Sequence, residues 1–242
     1  MSQTLAAQLG LRELVLNGAL KPGERVPETG IVEQLGMSRT PVRAALAKLA
    51  EEGLLDPLPS GGYAVRQFSE TDISDAIEVR GTLEGLCARI AAERGADPAG
   101  LAELRDLLGR IDAVLVRNQH DPDAFTDYVG LNERFHAVLG TLAGSRLLSE
   151  QLARATSLPF ASPSGFVRTQ AALPAFHHIL LIAQEQHRTL VEAIERREGA
   201  RAEALAREHA RLARRNLHLG LRDSAAAPLL PGSALILLKE AI

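Results

Sequence analysis

Apolar side chains recur along this chain mainly every three to four residues, the rhythm of helices that bury one face. Leu5, Leu9, Leu11, Leu14 and Val15 predict a first amphipathic helix that ends at Gly18. A Pro22-Gly23 turn leads into a short helix over about 28–35. Gly36-Met37 is a turn, and the next helix carries Val42, Ala45, Leu46 and Leu49 as one stripe before Gly53 stops it. Ser38 or Thr40 can cap that helix, and Pro41 suits its first turn, where a missing N–H costs nothing. Then the rhythm changes. Leu54-Leu55 to Val65 reads as two short strands around Pro57, Pro59, Ser60, Gly61 and Gly62. Residues 1–67 are thus expected to form three helices and a hairpin.

Phe68 to Asp72 is the boundary, where Ser69 and Asp72 resemble a capping box with aspartate in place of glutamate. Breaks at Gly95 to Pro98, Asp121-Pro122, Gly144, Pro159 to Pro163, Pro174 and Gly199 divide the remainder. They predict helices at about 70–94, 98–119, 123–143, 145–157, 174–198 and 200–221, with no strand rhythm among them. Residues 68–222 therefore read as an antiparallel all-α bundle, and the fold class as mainly α. Helix lengths follow no period, which excludes a solenoid. In the 223–242 tail, Pro228 and Pro231 break any helix before an apolar Ala234 to Leu238. A strand, a packed helix and a disordered end all remain open there.

Composition adds little to the fold but bounds the function. Hydrophobic content of 46% and charged content of 24% are those of a globular protein. One cysteine, Cys87, excludes an intramolecular disulfide and fits a reducing cytoplasm. No signal peptide is expected, and Ala234 to Leu238 is far too short to span a membrane. Net charge is −3, and the first 66 residues hold seven basic and seven acidic side chains. A generally basic nucleic-acid binder is excluded, so DNA binding would need a local patch doubled by dimerisation.

Such a patch exists. Arg39, Arg43 and Lys48 are the only charges between Glu33 and Glu51, at the start and along one edge of the third helix. Arginine forks guanine edges or phosphates, and a helix N-terminus favours an anion. Ser38-Arg39-Thr40-Pro41-Val42-Arg43, with Leu20 to Val26 before it and Gly61 to Val65 after it, resembles the winged helix-turn-helix of GntR-type bacterial repressors. That resemblance implies a homodimer on a near-palindromic double-stranded operator, read by Arg25, Ser38, Arg39, Thr40 and Arg43 with Gly61 and Gly62 at the wing. The family often has arginine where Thr29 stands and glutamate where Ala44 stands, so the operator sequence is open.

In the bundle, Asn132 and His136 share a helix face flanked by Phe135, Leu139 and Ala143. His187 leads a stripe of Leu190, Val191 and Ile194, and His209 sits between Leu205 and Leu212. Each histidine alone fits a core imidazole bonded to a carbonyl; three on buried stripes would converge if their helices adjoin. The bundle resembles the effector-binding domain of the FadR subfamily, which implies that Asn132, His136, His187 and His209 hold a divalent metal. Zinc is the first expectation, with nickel or manganese allowed. Asparagine replaces the usual aspartate, which leaves the ion one negative charge short and favours a carboxylate effector.

Arg80 and Glu84, one turn apart, read either as an exposed ion pair or, by the resemblance, with Arg80 facing the cavity to fork that carboxylate. His177-His178 could add a polar wall, and His120 and His218 belong on the surface. Leu158 to Ser164 could line the pocket, with Phe160 and Phe166 favouring an aromatic acid over other mono- or dicarboxylates. The arginines from Arg196 to Arg215 alternate with glutamates and read as a solvated helix face. The expected function is a ligand-responsive transcriptional repressor without enzyme activity. The alternative is a metal-dependent enzyme that uses the three histidines, and a regulator with no effector would keep them as core packing.

Overall fold

The computed structural model describes residues 2–117, 122–157, 160–164, 176–222 and 232–237, and of helix-end residues 122–123, 176–177 and 216–222 only the backbone. They form two compact units. The first contains α1 (Gln3–Leu16), α2 (Glu28–Leu35) and α3 (Arg39–Glu51), then β1 (Leu55–Pro57) paired antiparallel with β2 (Tyr63–Val65), Leu55 opposite Val65. Its core is the expected α3 stripe, Val42, Ala45, Leu46 and Leu49, packed on α1. On α1 the buried stripe is Ala7, Leu11 and Val15, while Leu5 and Leu9 are 45% and 49% exposed. Those two leucines repeat at helical spacing but lie off the face that meets α3, and the expected stripe is corrected accordingly.

Gly36, with φ of +62°, closes α2 in the left-handed conformation that only a residue without a Cβ adopts cheaply. Ser38 occupies the cap position of α3, but its hydroxyl makes no capping bond; Thr40 lies inside the first turn. The N–H groups of that turn therefore lack a side-chain acceptor.

The tail belongs to this unit. β4 (Ile236–Leu237) pairs in parallel with β3 (Phe68–Ser69), and the 3₁₀ turn Ser233–Leu235 before it packs on α1 with Leu235 fully buried. A Cβ on Gly18 would lie 2.8 Å from the Ala234 Cβ, so the glycine lets the tail approach. Residues 223–231 and 238–242 lie outside the described residues.

In the second unit every described element is helical, as the pattern predicts: α4 (Glu70–Arg94), α5 (Pro98–Val116), α6 (Pro122–Thr141), α7 (Arg146–Ala155), α8 (Phe176–Glu195) and α9 (Gly199–Arg222). The capping box that opens α4 is formed: Ser69 N–H donates to Asp72 Oδ2 at 2.7 Å, and Asp72 N–H to Ser69 Oγ at 3.1 Å. Asp97 caps α5 by accepting from Gly100 N–H at 2.9 Å, with Pro98 at its first position. Leu104, Leu107 and Ile111 of α5 meet Phe135 and Leu139 of α6 and Leu190 and Ile194 of α8 in one core. Where α4 meets α9, a Cβ on Gly81 would fall 2.6 Å from the Ala210 Cβ. The missing side chain brings the α4 backbone close to the helix that carries His209. The arginine-rich end is laced with ion pairs, among them Arg196–Glu192 and Arg201–Glu198, both at 2.6 Å.

Candidate functional site

On the first unit, Ser38, Arg39, Thr40 and Arg43 all lie on the exposed side of α3, opposite the stripe that packs on α1. Arg43 pairs loosely with Glu28 at 3.8 Å; both side chains are solvated, so the contact competes weakly with any other anion. Arg39 makes no ion pair among the described residues. Arg25 is held against the wing, its Nη2 donating to the Gly61 carbonyl at 2.8 Å. Gly61 and Gly62 both have φ of +81°, which a side chain would strain, so the exposed wing tip is bare backbone steadied by an arginine.

In the second unit three helices converge on one point. His136 from α6, His187 from α8 and His209 from α9 present their Nε2 atoms to one another: His187 to His209 at 3.0 Å and His209 to His136 at 3.3 Å. All three imidazoles are buried. Phe135 lies 4.1 Å from the His187 ring, centroid to centroid, and walls one side.

The outer nitrogens explain the orientation. His136 Nδ1 faces Glu84 Oε1 at 2.9 Å, His187 Nδ1 faces Gln184 Oε1 at 3.3 Å, and His209 Nδ1 faces Gln186 Oε1 at 3.1 Å. Each of those oxygens accepts, so each Nδ1 carries the proton and each Nε2 turns a lone pair inward. Gln184 is itself fixed, because its Nε2 donates to Asp112 Oδ1 at 2.7 Å and to the Leu108 carbonyl at 2.9 Å. Burial, then the neighbouring imidazoles, holds His187 well below the usual imidazole range and pushes His209 down to about 3. Neutral imidazoles with converging lone pairs repel unless a cation lies between them. Four-coordinate zinc at 2.0–2.1 Å sets nitrogens about 3.3–3.4 Å apart, close to the distances here. The donor set fits a divalent ion.

Arg80 and Glu84 are buried, 2% and 1% exposed, which corrects the reading of an exposed pair. Arg80 Nη1 donates to the Ala161 carbonyl at 3.1 Å. Its Nε lies 3.7 Å from Glu84 Oε2, too far for a hydrogen bond, and neither atom has another partner among the described residues. Burial raises the Glu84 pKa, but the N–H donated by His136 and the Arg80 guanidinium outweigh it and hold the carboxyl below its usual range. A group so acidic is a poor general base near neutrality, which counts against the enzyme alternative.

Asn132 is buried one turn before His136, with its Nδ2 donating to Ser164 Oγ at 3.1 Å. Phe160 is buried and His178 exposed; Phe166, His120 and the His177 and His218 side chains lie outside the described residues. Pattern reading did not give Glu84, Gln184 and Gln186 their roles. Glu84 had a signal, since Ile73, Ile77, Arg80, Glu84 and Cys87 fall at heptad-like spacing on α4. Gln184 shares a face with His187 by its i,i+3 spacing; Gln186 reaches His209 across helices and leaves no local trace.

The profile described as "Bacterial regulatory proteins, gntR family" matches residues 3–65, and that described as "FCD domain" matches residues 75–212. The regulator YdhC of Bacillus subtilis is 28% identical over 148 residues, covering 61% of this chain and 64% of YdhC. The repressor GlaR of Escherichia coli is 24% identical over 201 residues, 82% of this chain and 88% of GlaR. The solved structure of Escherichia coli McbR/YncC shares the fold at a TM-score of 0.61 and 24% identity, covering 90% of this chain and 98% of that one.

Proposed function

The chain belongs to the GntR family of bacterial regulatory proteins and carries an FCD domain, and from that premise we propose that it is a metal-containing transcriptional repressor released by a small carboxylate. Two copies set their α3 helices in successive major grooves of a near-palindromic operator, about 34–36 Å apart. Arg39 and Arg43 contact bases or phosphates, Ser38 and Thr40 contact phosphate near the uncapped helix start, and the Arg25-steadied Gly61-Gly62 tip approaches the backbone beside it. The repressor sense is supported by the name of GlaR and by that of the probable D-xylose utilization operon repressor of Paenarthrobacter nicotinovorans, 44% identical over 78 residues.

The observation that carries the metal reading is the convergence of three Nε2 lone pairs, each fixed by an acceptor on the opposite ring nitrogen. His136, His187 and His209 hold the ion, with the Asn132 oxygen as fourth donor. When bound, a divalent ion supplies a positive centre that attracts an anionic group. Arg80 adds its guanidinium beside that centre, and Glu84 orients His136. A carboxylate that binds one arrangement of the protein better than another shifts DNA affinity by that difference and no more. Among the described residues no helix is long and apolar enough to cross a membrane, in keeping with a regulator of cytoplasmic DNA.

Elemental analysis of untagged protein tests the reading. About one zinc, nickel or manganese ion per chain is expected, lost in His136→Ala/His209→Ala. A metal-free wild type would reduce the histidines to core packing.

A further inference from the structure

A cleft of about 490 Å³ opens between α6 and α7, with the buried His136 and Glu84 on its wall. Its size is that of a small-molecule pocket. We propose that the effector is a monocarboxylate with an apolar body of several carbons, its head at the imidazole centre beside Arg80 and its body in this cleft. This rests on the carboxylate reading above and names the class of acid.

The walls decide the class. Ala137, Gly140, Leu152, Ala153 and Pro163 present carbon. Four hydroxyls line the cleft; Ser162 accepts from Ser164 N–H at 3.3 Å, and the other three direct their protons back to a helix carbonyl. Thr141 donates to Val138 O at 2.8 Å, Ser149 to Gly140 O at 3.0 Å, and Thr156 to Leu152 O at 3.0 Å. Among the described residues of the wall the Ser162 hydroxyl is the one side-chain donor left, too little for the several hydroxyls of a sugar acid. Among the described residues the ionisable side chains on the wall, apart from His136, are Glu84 and the exposed Glu133, so a second carboxylate would meet negative charge. Glu84 is neutralised by Arg80; Glu133 is not. A buried polar group without a partner is costly, whereas each methylene gains by leaving water. Small residues shape the cleft: a Cβ on Gly140 would lie 2.7 Å from Leu152 Cδ2.

Calorimetric titration of the full chain, as purified and zinc-loaded, with acetate, butanoate, hexanoate and octanoate tests this. Affinity should rise about fourfold per methylene until the cleft is full. Hexanedioate and gluconate should bind no better than acetate. Ala153→Leu and Ala137→Leu, at exposed helix positions with folding checked by melting, should cost hexanoate and octanoate about tenfold and leave acetate unchanged. Equal binding of acetate and octanoate, tight hexanedioate, or a gain unmoved by both substitutions would overturn the cleft while leaving the carboxylate reading in place. Hexan-1-amine binding in place of hexanoate, or no heat with any acid, would overturn both.

Discussion

The two units treat polar groups in opposite ways. In the winged-helix unit no described charged side chain is buried; its candidate DNA contacts stand outside, on an apolar core of α1 and α3. In the helical unit Arg80, Glu84, Asn132, His136, Gln184, His187 and His209 are all buried. On the proposed function, the difference follows from what each must meet. DNA is a rigid external surface, so its reader needs only an exposed patch held by a core that carries no function. A small ion or acid must be surrounded, so the bundle places its chemistry where packing would otherwise want carbon. Function and stability are separable in the first unit and coupled in the second.

The sharpest way to break that contrast is Glu84→Ala. It leaves Arg80 charged and buried without a counter-ion and should cost about 3–5 kcal/mol in urea unfolding. Glu84→Gln, closer in shape, should lower metal affinity about 10–100-fold by weakening the hold on His136, measured by chelator competition. Stability unchanged in both variants would show that the buried pair is dispensable. Next in size is Leu235→Ala. The tail leucine is fully buried on α1 and should cost the winged-helix unit about 2–4 kcal/mol, read by hydrogen exchange of α1 amides. Unaltered protection would mean the tail merely rests there.

Arg43→Ala should weaken operator binding by about 1–3 kcal/mol and reduce its salt dependence, with an unchanged melting curve. A large loss of stability in that variant would erase the separation claimed for the first unit. The smallest effect is expected for Ser69→Ala, about 1 kcal/mol for a lost cap. The hydroxyl and N–H of Ser69 hold the Asp72 carboxyl below its usual range. Its contribution is therefore present above the unfolded carboxylate's pKa, about 4, and is lost as pH falls through the folded value. The variant keeps the Ser69 N–H bond and should lose the larger, hydroxyl part of that acid-limb component in pH-dependent melting.

Much of this was legible from residue order. The α3 stripe, the glycine that ends α2, the box at Ser69 and the proline-marked breaks are local signals, because a helix writes its buried face into its own spacing. The histidines were visible as members of buried stripes. Leu5 and Leu9 misled because spacing shows that a helix has an apolar face without showing which neighbour meets it. Arg80 and Glu84 stayed open between surface and cavity because an i,i+4 ion pair looks the same in both.

By itself the sequence determined the helices, their order, the basic edge of α3 and the family to which the chain belongs. The tertiary structure alone decided that three imidazoles meet, that Gln184 and Gln186 set two of their ring nitrogens, and that the tail adds a strand beside Phe68. Periodicity constrains neighbours along one helix, within a turn or two. Where faces from α6, α8 and α9 come together depends on how whole helices pack, and side chains far apart in the chain become partners only there.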